Sequence, residues 1–175
     1  MNRDILTRLE VSMARRIAAL PKPLRPRFDT ISTEPRGLLI TGPRGTGKST
    51  FILSKLQSRH ALYVSADVPI VSEVPLYDLA SFAFSQGYEG IAVDEAHYAK
   101  DWSLQIKAIY DDFPERFIWA SDSSSLVLRS GNVDLSRRFI NARVPGQLPH
   151  SQIGSALIVF GLGDRGGKNC TRCCS

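Results

Sequence analysis

No apolar run in this chain approaches the ~20 consecutive residues that a bilayer-spanning helix needs. The N-terminus also lacks the basic-then-apolar layout of a secretory leader, which points to a cytoplasmic protein. Cysteine is nearly missing: Cys170, Cys173 and Cys174 are the only three, all within the last six residues. A metal site there would need a fourth ligand and flanking structure, and neither is visible. A prenylation signal needs cysteine fourth from the end, where Arg172 stands. These cysteines therefore read as unstructured thiols. What remains, 43% hydrophobic and 22% charged over 175 residues, is the composition of one globular domain with a real core.

Basic residues are unevenly placed. The net charge of +5 is already reached within residues 1–27, where Arg3, Arg8, Arg15, Arg16, Lys22, Arg25 and Arg27 face only Asp4 and Glu10. A basic leading helix could touch nucleic acid or an acidic partner. No aromatics are interleaved with the charge, as single-strand binding surfaces require. The favoured reading is a solvated helix over residues 3–20, with Ile5, Leu9, Met13, Ile17 and Leu20 packing inward at helical spacing. Three prolines, Pro21, Pro23 and Pro26, then break it.

Residues 42–49, Gly-Pro-Arg-Gly-Thr-Gly-Lys-Ser, match the phosphate-loop pattern G-x-x-x-x-G-K-[ST], called Walker A. The context also fits: Gly37 to Thr41 reads as a short apolar strand, and Thr50 to Ser58 as a helix. A strand that turns through glycines into a helix N-terminus aims backbone N–H groups and the positive end of the helix dipole at one point. That point suits a polyphosphate. The candidate nucleotide-binding set is Gly42, Pro43, Arg44, Gly45, Thr46, Gly47, Lys48, Ser49 and Thr50. Lys48 is expected to reach the β- and γ-phosphates, and the Ser49 hydroxyl to hold magnesium.

Further strands are expected at Ala61–Ser65, Gly90–Asp94, Phe117–Ser121 and Phe139–Val144. Helices are expected from Pro75 to Gln86 and from Trp102 to Phe113, with a helical turn at Leu135–Arg138. Strands alternating with helices imply a parallel sheet covered on both faces. The fold expected is α/β, a P-loop three-layer sandwich on a parallel five-stranded sheet. Its domain would span residues 29–145, after an N-terminal helix and linker at 1–28 and before an atypical tail at 146–175.

Ile91-Ala92-Val93-Asp94-Glu95 carries the second signal, a Walker B pattern. Ligands of parallel sheets sit outside the carboxyl ends of the strands, so this acidic pair should face the phosphate loop. Asp94 would hold the magnesium, and Glu95 would polarise the water attacking the γ-phosphate. The letters Asp94-Glu95-Ala96-His97 also spell a helicase box, but such helicases need two tandem motor domains and this chain has room for one.

Ser121, Asp122 and Ser123 end the fourth strand, where a polar residue can sense the γ-phosphate. A carboxylate is repelled there, so Ser121 or Ser123 suits the role better, with Ser123 the working candidate. A plain Ser-rich loop is the other reading. Arg137 and Arg138 could stabilise charge on a neighbour's nucleotide. Alternatively they satisfy carbonyls at a helix C-terminus.

The stretch Gly37 to Pro145 resembles a family of prokaryotic AAA-type ATPases, usually ATP-binding proteins with a C-terminal nuclease-like domain. The resemblance rests on Gly42–Ser49, Val93-Asp94-Glu95-Ala96-His97 with Trp102, Leu104–Pro114, Ser123-Ser124-Ser125-Leu126, and Asp134-Leu135-Ser136-Arg137-Arg138. It implies ATP binding, magnesium dependence and oligomerisation, with Lys48, Ser49, Asp94 and Glu95 in their usual roles and Arg137 or Arg138 matching the finger position loosely. The chain departs from the family at Asp122, where members usually have Gly, a difference that bears on hydrolysis. It departs again after Pro145, where a Leu-Ser-Phe-Arg-Glu turn is expected and Pro149-His150-Ser151-Gln152 stands.

Gly161 to Gly166 after Ala156–Phe160 imitates a dinucleotide fingerprint, but only nine residues follow, too few for a βαβ unit. The tail is expected to be out-of-frame or truncated sequence, with residues 161–175 disordered. The leading expectation is a magnesium-dependent ATPase. The alternative is a nucleotide-binding module without turnover, or a relic of a longer ATPase.

Overall fold

In a computed structural model, which describes residues 3–123 and 135–146, the alternation of apolar strands and amphipathic helices becomes one layered sheet. The chain runs α1 (Arg3–Ala18), a 3-10 turn (Pro26–Thr30), β1 (Gly37–Thr41), α2 (Lys48–Leu56), β2 (Ala61–Ser65), α3 (Pro69–Ser72) and α4 (Leu76–Ser85). It continues through β3 (Gly90–Asp94), a 3-10 turn (Ala96–Tyr98), α5 (Trp102–Asp112), β4 (Phe117–Asp122) and β5 (Ile140–Arg143). The expectations for Ser124–Leu126, for Asp134 and for the tail from residue 147 onward lie outside the described residues.

Each of the five expected strands is present. Their spatial order is β2-β3-β4-β1-β5, and every pairing is parallel. Strands β1 to β3 are buried along their whole length, as a sheet covered on both faces requires. On one face Leu39, Leu62, Val64, Ile91, Val93 and Ile118 pack against Leu79, Ala83, Ile106 and Ile109 of α4 and α5. On the other, Leu38, Ile40, Tyr63, Ala92 and Trp119 pack against Phe51, Ile52 and Leu56 of α2, with Phe28.

Helix α1 packs along β2, the outermost strand on that side. Its Leu6 and Leu9 join the first cluster, while Met13, Ile17 and Leu20 lean on the second. The helix thus passes over the edge of the sheet and covers a strand that would otherwise template pairing with another chain. Leu6 takes a fully buried place that the expected stripe assigned to Ile5, which is only partly covered. Arg8 and Arg15 stay exposed, Arg8 pairing with Asp4 at 3.2 Å. Among the described residues, no helix is long and apolar enough to cross a membrane.

The helix after the phosphate loop starts two residues earlier than the sequence suggests, at Lys48. Gly47 explains the shift. It adopts φ 92°, a left-handed conformation open to glycine, and turns the loop straight into the helix.

Candidate functional site

Parallel pairing aligns the strand ends in one row. Thr41 is in register with Asp122, and Ser65 with Asp94. β4 lies between β1 and β3, so at ~4.8 Å per strand the loop after β1 stands about 10 Å from the acidic end of β3. That gap has the width for a phosphate, a metal ion and a water.

Gly42 to Ser49 leave β1 as a tight loop. A Cβ on Gly42 would lie 2.3 Å from the Val144 carbonyl oxygen, so only glycine allows the loop to close against the chain leaving β5. Thr46 is buried, and its N–H and hydroxyl both donate to the Pro43 carbonyl, at 3.3 and 2.9 Å. Lys48 Nζ donates to the carbonyls of Gly42 and Pro43, at 3.0 and 3.3 Å, and so sits over the loop's concave side. Ser49 and Thr50 occupy the first turn of α2, half-buried, while Pro43, Arg44 and Gly45 are exposed at the loop tip.

Three residues that sequence reasoning passed over support this loop. Arg25 donates to the Thr46 carbonyl at 2.8 Å, and Arg27 to the carbonyls of Pro145 and Gly146, each at 2.9 Å. Phe28 is buried with its ring edge-on to Phe51 and in reach of Gly47. These residues fall in or just after the proline-rich stretch, which the sequence marked by its break in helicity and, at Arg25 and Arg27, by basic charge, neither of which pointed to the phosphate loop.

At the end of β3, Asp94 is buried and both its carboxylate oxygens accept hydrogen bonds. The Tyr63 hydroxyl donates to Oδ2 at 2.6 Å, and the Ser121 hydroxyl donates to Oδ1. Burial, then the neighbouring Asp94 charge, pushes the Tyr63 phenol well above the ordinary tyrosine range, so it stays a donor. Tyr63 was not anticipated. Its signal was a lone phenol in an aliphatic strand, with nothing to say what it would meet.

Glu95 follows at φ 50°, a left-handed conformation that costs a non-glycine residue of the order of 1–3 kcal/mol and clusters at functional sites. Its carboxylate accepts from the Ser123 hydroxyl at 2.6 Å, and its N–H donates to Ser121 Oγ at 3.3 Å. Both candidate serines therefore hold the acidic pair: Ser121 bridges the Asp94 carboxylate and the Glu95 backbone, and Ser123 holds the Glu95 carboxylate. Asp122 points to the opposite face of β4 from Ser121, as strand alternation dictates. There it meets His97, whose Nδ1 is 3.4 Å from Asp122 Oδ1 and 3.7 Å from Glu95 Oε2.

Arg137 and Arg138 are not part of this constellation. β5 begins at Ile140 beside Leu38, so both arginines lie near the start of β1, about 13 Å of strand away from the phosphate loop. Arg138 forms a two-pronged pair with Asp111 of α5, at 2.7 and 3.0 Å. Arg137 is exposed.

A five-stranded parallel sheet with a glycine loop after β1 and an acidic pair after β3 is the architecture of an AAA-type nucleotide-binding module. The family model described as "AAA domain" matches residues 34–147, and the chain belongs to that family. No curated protein matches the chain. Among solved structures, PCH-2 from C. elegans is similar at 16% identity and a TM-score of 0.41, covering 92% of this chain. The match takes in 48% of that protein, so the chain spans about half its length.

Proposed function

We propose that the chain binds ATP with magnesium at the loop Gly42–Ser49 and hydrolyses it, with Glu95 as the base. The observation that carries this reading is the row of strand ends, which sets Asp94 and Glu95 across β4 from the phosphate loop. The donor set fits the metal: the Ser49 hydroxyl and the Asp94 carboxylate are hard oxygen ligands, as magnesium prefers. When bound, that ion neutralises charge on the β- and γ-phosphates. Backbone N–H groups at the start of α2 and the Lys48 ammonium bind the phosphates. Lys48 exchanges its loop carbonyls for phosphate oxygens. Ser123 orients the Glu95 carboxylate, which takes a proton from the attacking water. Ser121 and Tyr63 hold Asp94 in place.

Arg137, exposed at the far end of the sheet, is suited to act on the nucleotide of a neighbouring copy rather than on its own. A homo-oligomer is therefore part of the proposal. A second reading, binding without turnover, is favoured by Asp122, whose carboxylate stands beside Glu95 where a γ-phosphate would be repelled.

Titration with a fluorescent ATP analogue and a phosphate-release assay test both readings. Lys48→Ala should abolish binding. Glu95→Gln should keep binding and lower hydrolysis by about 10²–10⁴-fold, the usual effect of losing a general base. Equal binding by the wild type and the Lys48 variant would sink the site assignment. Binding without any phosphate release by the concentrated wild-type protein would leave only the second reading.

A further inference from the structure

Glu95, His97 and Asp122 converge from two directions. Glu95 precedes the 3-10 turn after β3 and His97 lies within it, and Asp122 ends the neighbouring strand β4. One ligand atom from each lies within 4.8 Å of the other two. Asp122 is 2% exposed. The His97 Nδ1 atom is shut off from solvent and makes no hydrogen bond, although two carboxylate oxygens stand close to it. Tyr98 leans on the imidazole at 4.3 Å between ring centres and limits its rotation.

The spacing admits one ion held by all three groups. Metal–ligand bonds of ~2.0–2.1 Å in a tetrahedron put neighbouring ligand atoms about 3.3–3.4 Å apart. The same bond length in an octahedron puts them about 2.9 Å apart. The observed separations from His97 Nδ1, 3.4 and 3.7 Å, fall near the tetrahedral edge. An imidazole nitrogen with two carboxylates also suits zinc-like transition metals, whereas magnesium takes oxygens and water. A dication cancels both carboxylate charges. Three protein ligands would leave its fourth position open.

We propose that Glu95, His97 and Asp122 form a site for one zinc-type dication, separate from the magnesium held by Ser49 and Asp94, and that its occupation shuts down hydrolysis. The binding part stands on the geometry alone. The shutdown rests on the proposed role of Glu95: a carboxylate committed to a metal cannot take a proton from water.

The test uses the full-length chain with Cys170, Cys173 and Cys174 replaced by Ser, because clustered thiolates bind zinc by themselves. Cobalt(II) is titrated in and followed by its visible d–d absorption, and zinc then competes it off. One tetrahedral cobalt per chain is expected. His97→Ala and Asp122→Asn should each weaken binding by more than the roughly 10–100-fold typical of losing an outer partner of a ligand. Thermal melts in chelator confirm that the variants fold. Should either fail to, the unmutated ring reports instead, since His97 is one of only three histidines. Its Nδ1 resonance should shift when zinc is added.

No cobalt binding, octahedral cobalt only, binding by either variant as tight as by the parent chain, or an unmoved His97 resonance would each overturn the proposal. Zinc should also stop ATP turnover in the parent chain at stoichiometric occupancy, and persistent turnover would overturn the shutdown. A chain that takes cobalt as described yet never hydrolyses ATP would leave the metal site standing and remove the ATPase reading.

Discussion

Tyr63→Phe removes one buried oxygen and leaves the ring. The phenol is 2% exposed and donates to Asp94 Oδ2 at 2.6 Å, so its loss strips a buried carboxylate of one of its two donors. A hydrogen bond to a charged group contributes about 1.5–3 kcal/mol, and an aromatic swap of nearly equal volume adds no cavity. The second contact, from Arg16 Nη1 at 3.4 Å, is long and comes from an exposed side chain, so it contributes little. The variant should therefore lose about 1.5–3 kcal/mol of stability. At ~2–4 °C per kcal/mol for a chain of this size, Tm should fall by about 3–12 °C. Urea unfolding followed by tryptophan emission suits the measurement, because Trp102 and Trp119 are both buried. If Asp94 holds magnesium, the loss should shrink with magnesium and ATP present, since the ion takes the freed lone pair. A loss within about 0.5 kcal/mol, the range of ordinary surface substitutions, would refute the view that Tyr63 supports Asp94. A double cycle with Ser121→Ala should show coupling of about 0.5–3 kcal/mol, because both donors serve one carboxylate.

Gly42→Ala forces a methyl to 2.3 Å from the Val144 oxygen, and backbone on both sides must yield. It should cost about 1–3 kcal/mol and weaken nucleotide-analogue binding severalfold, read by melting and titration together. Normal binding would mean that the loop does not close against β5. Alkaline pH should destabilise the fold. Tyr63 and Tyr88 are both held above the ordinary tyrosine value by burial, followed by Asp94 in the first case and a hydrogen bond to Glu10 in the second. A raised folded-state pKa means the unfolded chain loses its protons first. That stability is intact below about pH 10 and drains away above it, so Tm should drop across that boundary, and less so in Tyr63→Phe.

Short-range signals were enough for the parts of this protein that depend on neighbours in sequence. Four apolar runs and the mixed run Phe139–Val144 became the five strands. Gly42 and Gly47 marked a loop whose backbone only glycine allows, and Asp94-Glu95 marked the end of β3. Those features follow from local sterics and periodicity, so the letters carry them.

The order β2-β3-β4-β1-β5 is not written in any single run, because strand pairing is decided by which faces the helices can cover. That order places the fourth strand between the two motifs and brings Ser121 and Asp122 beside the acidic pair. Period-two alternation then sends the two residues to opposite faces, Ser121 to Asp94 and Asp122 to His97 and Glu95. Register also puts Arg137 and Arg138 at the far end of β1, away from the phosphate loop. Tyr63, Arg25 and Phe28 had no motif to announce them. Each reaches the site across more than 18 residues of sequence, through packing that exists only once the sheet and its covering helices are assembled.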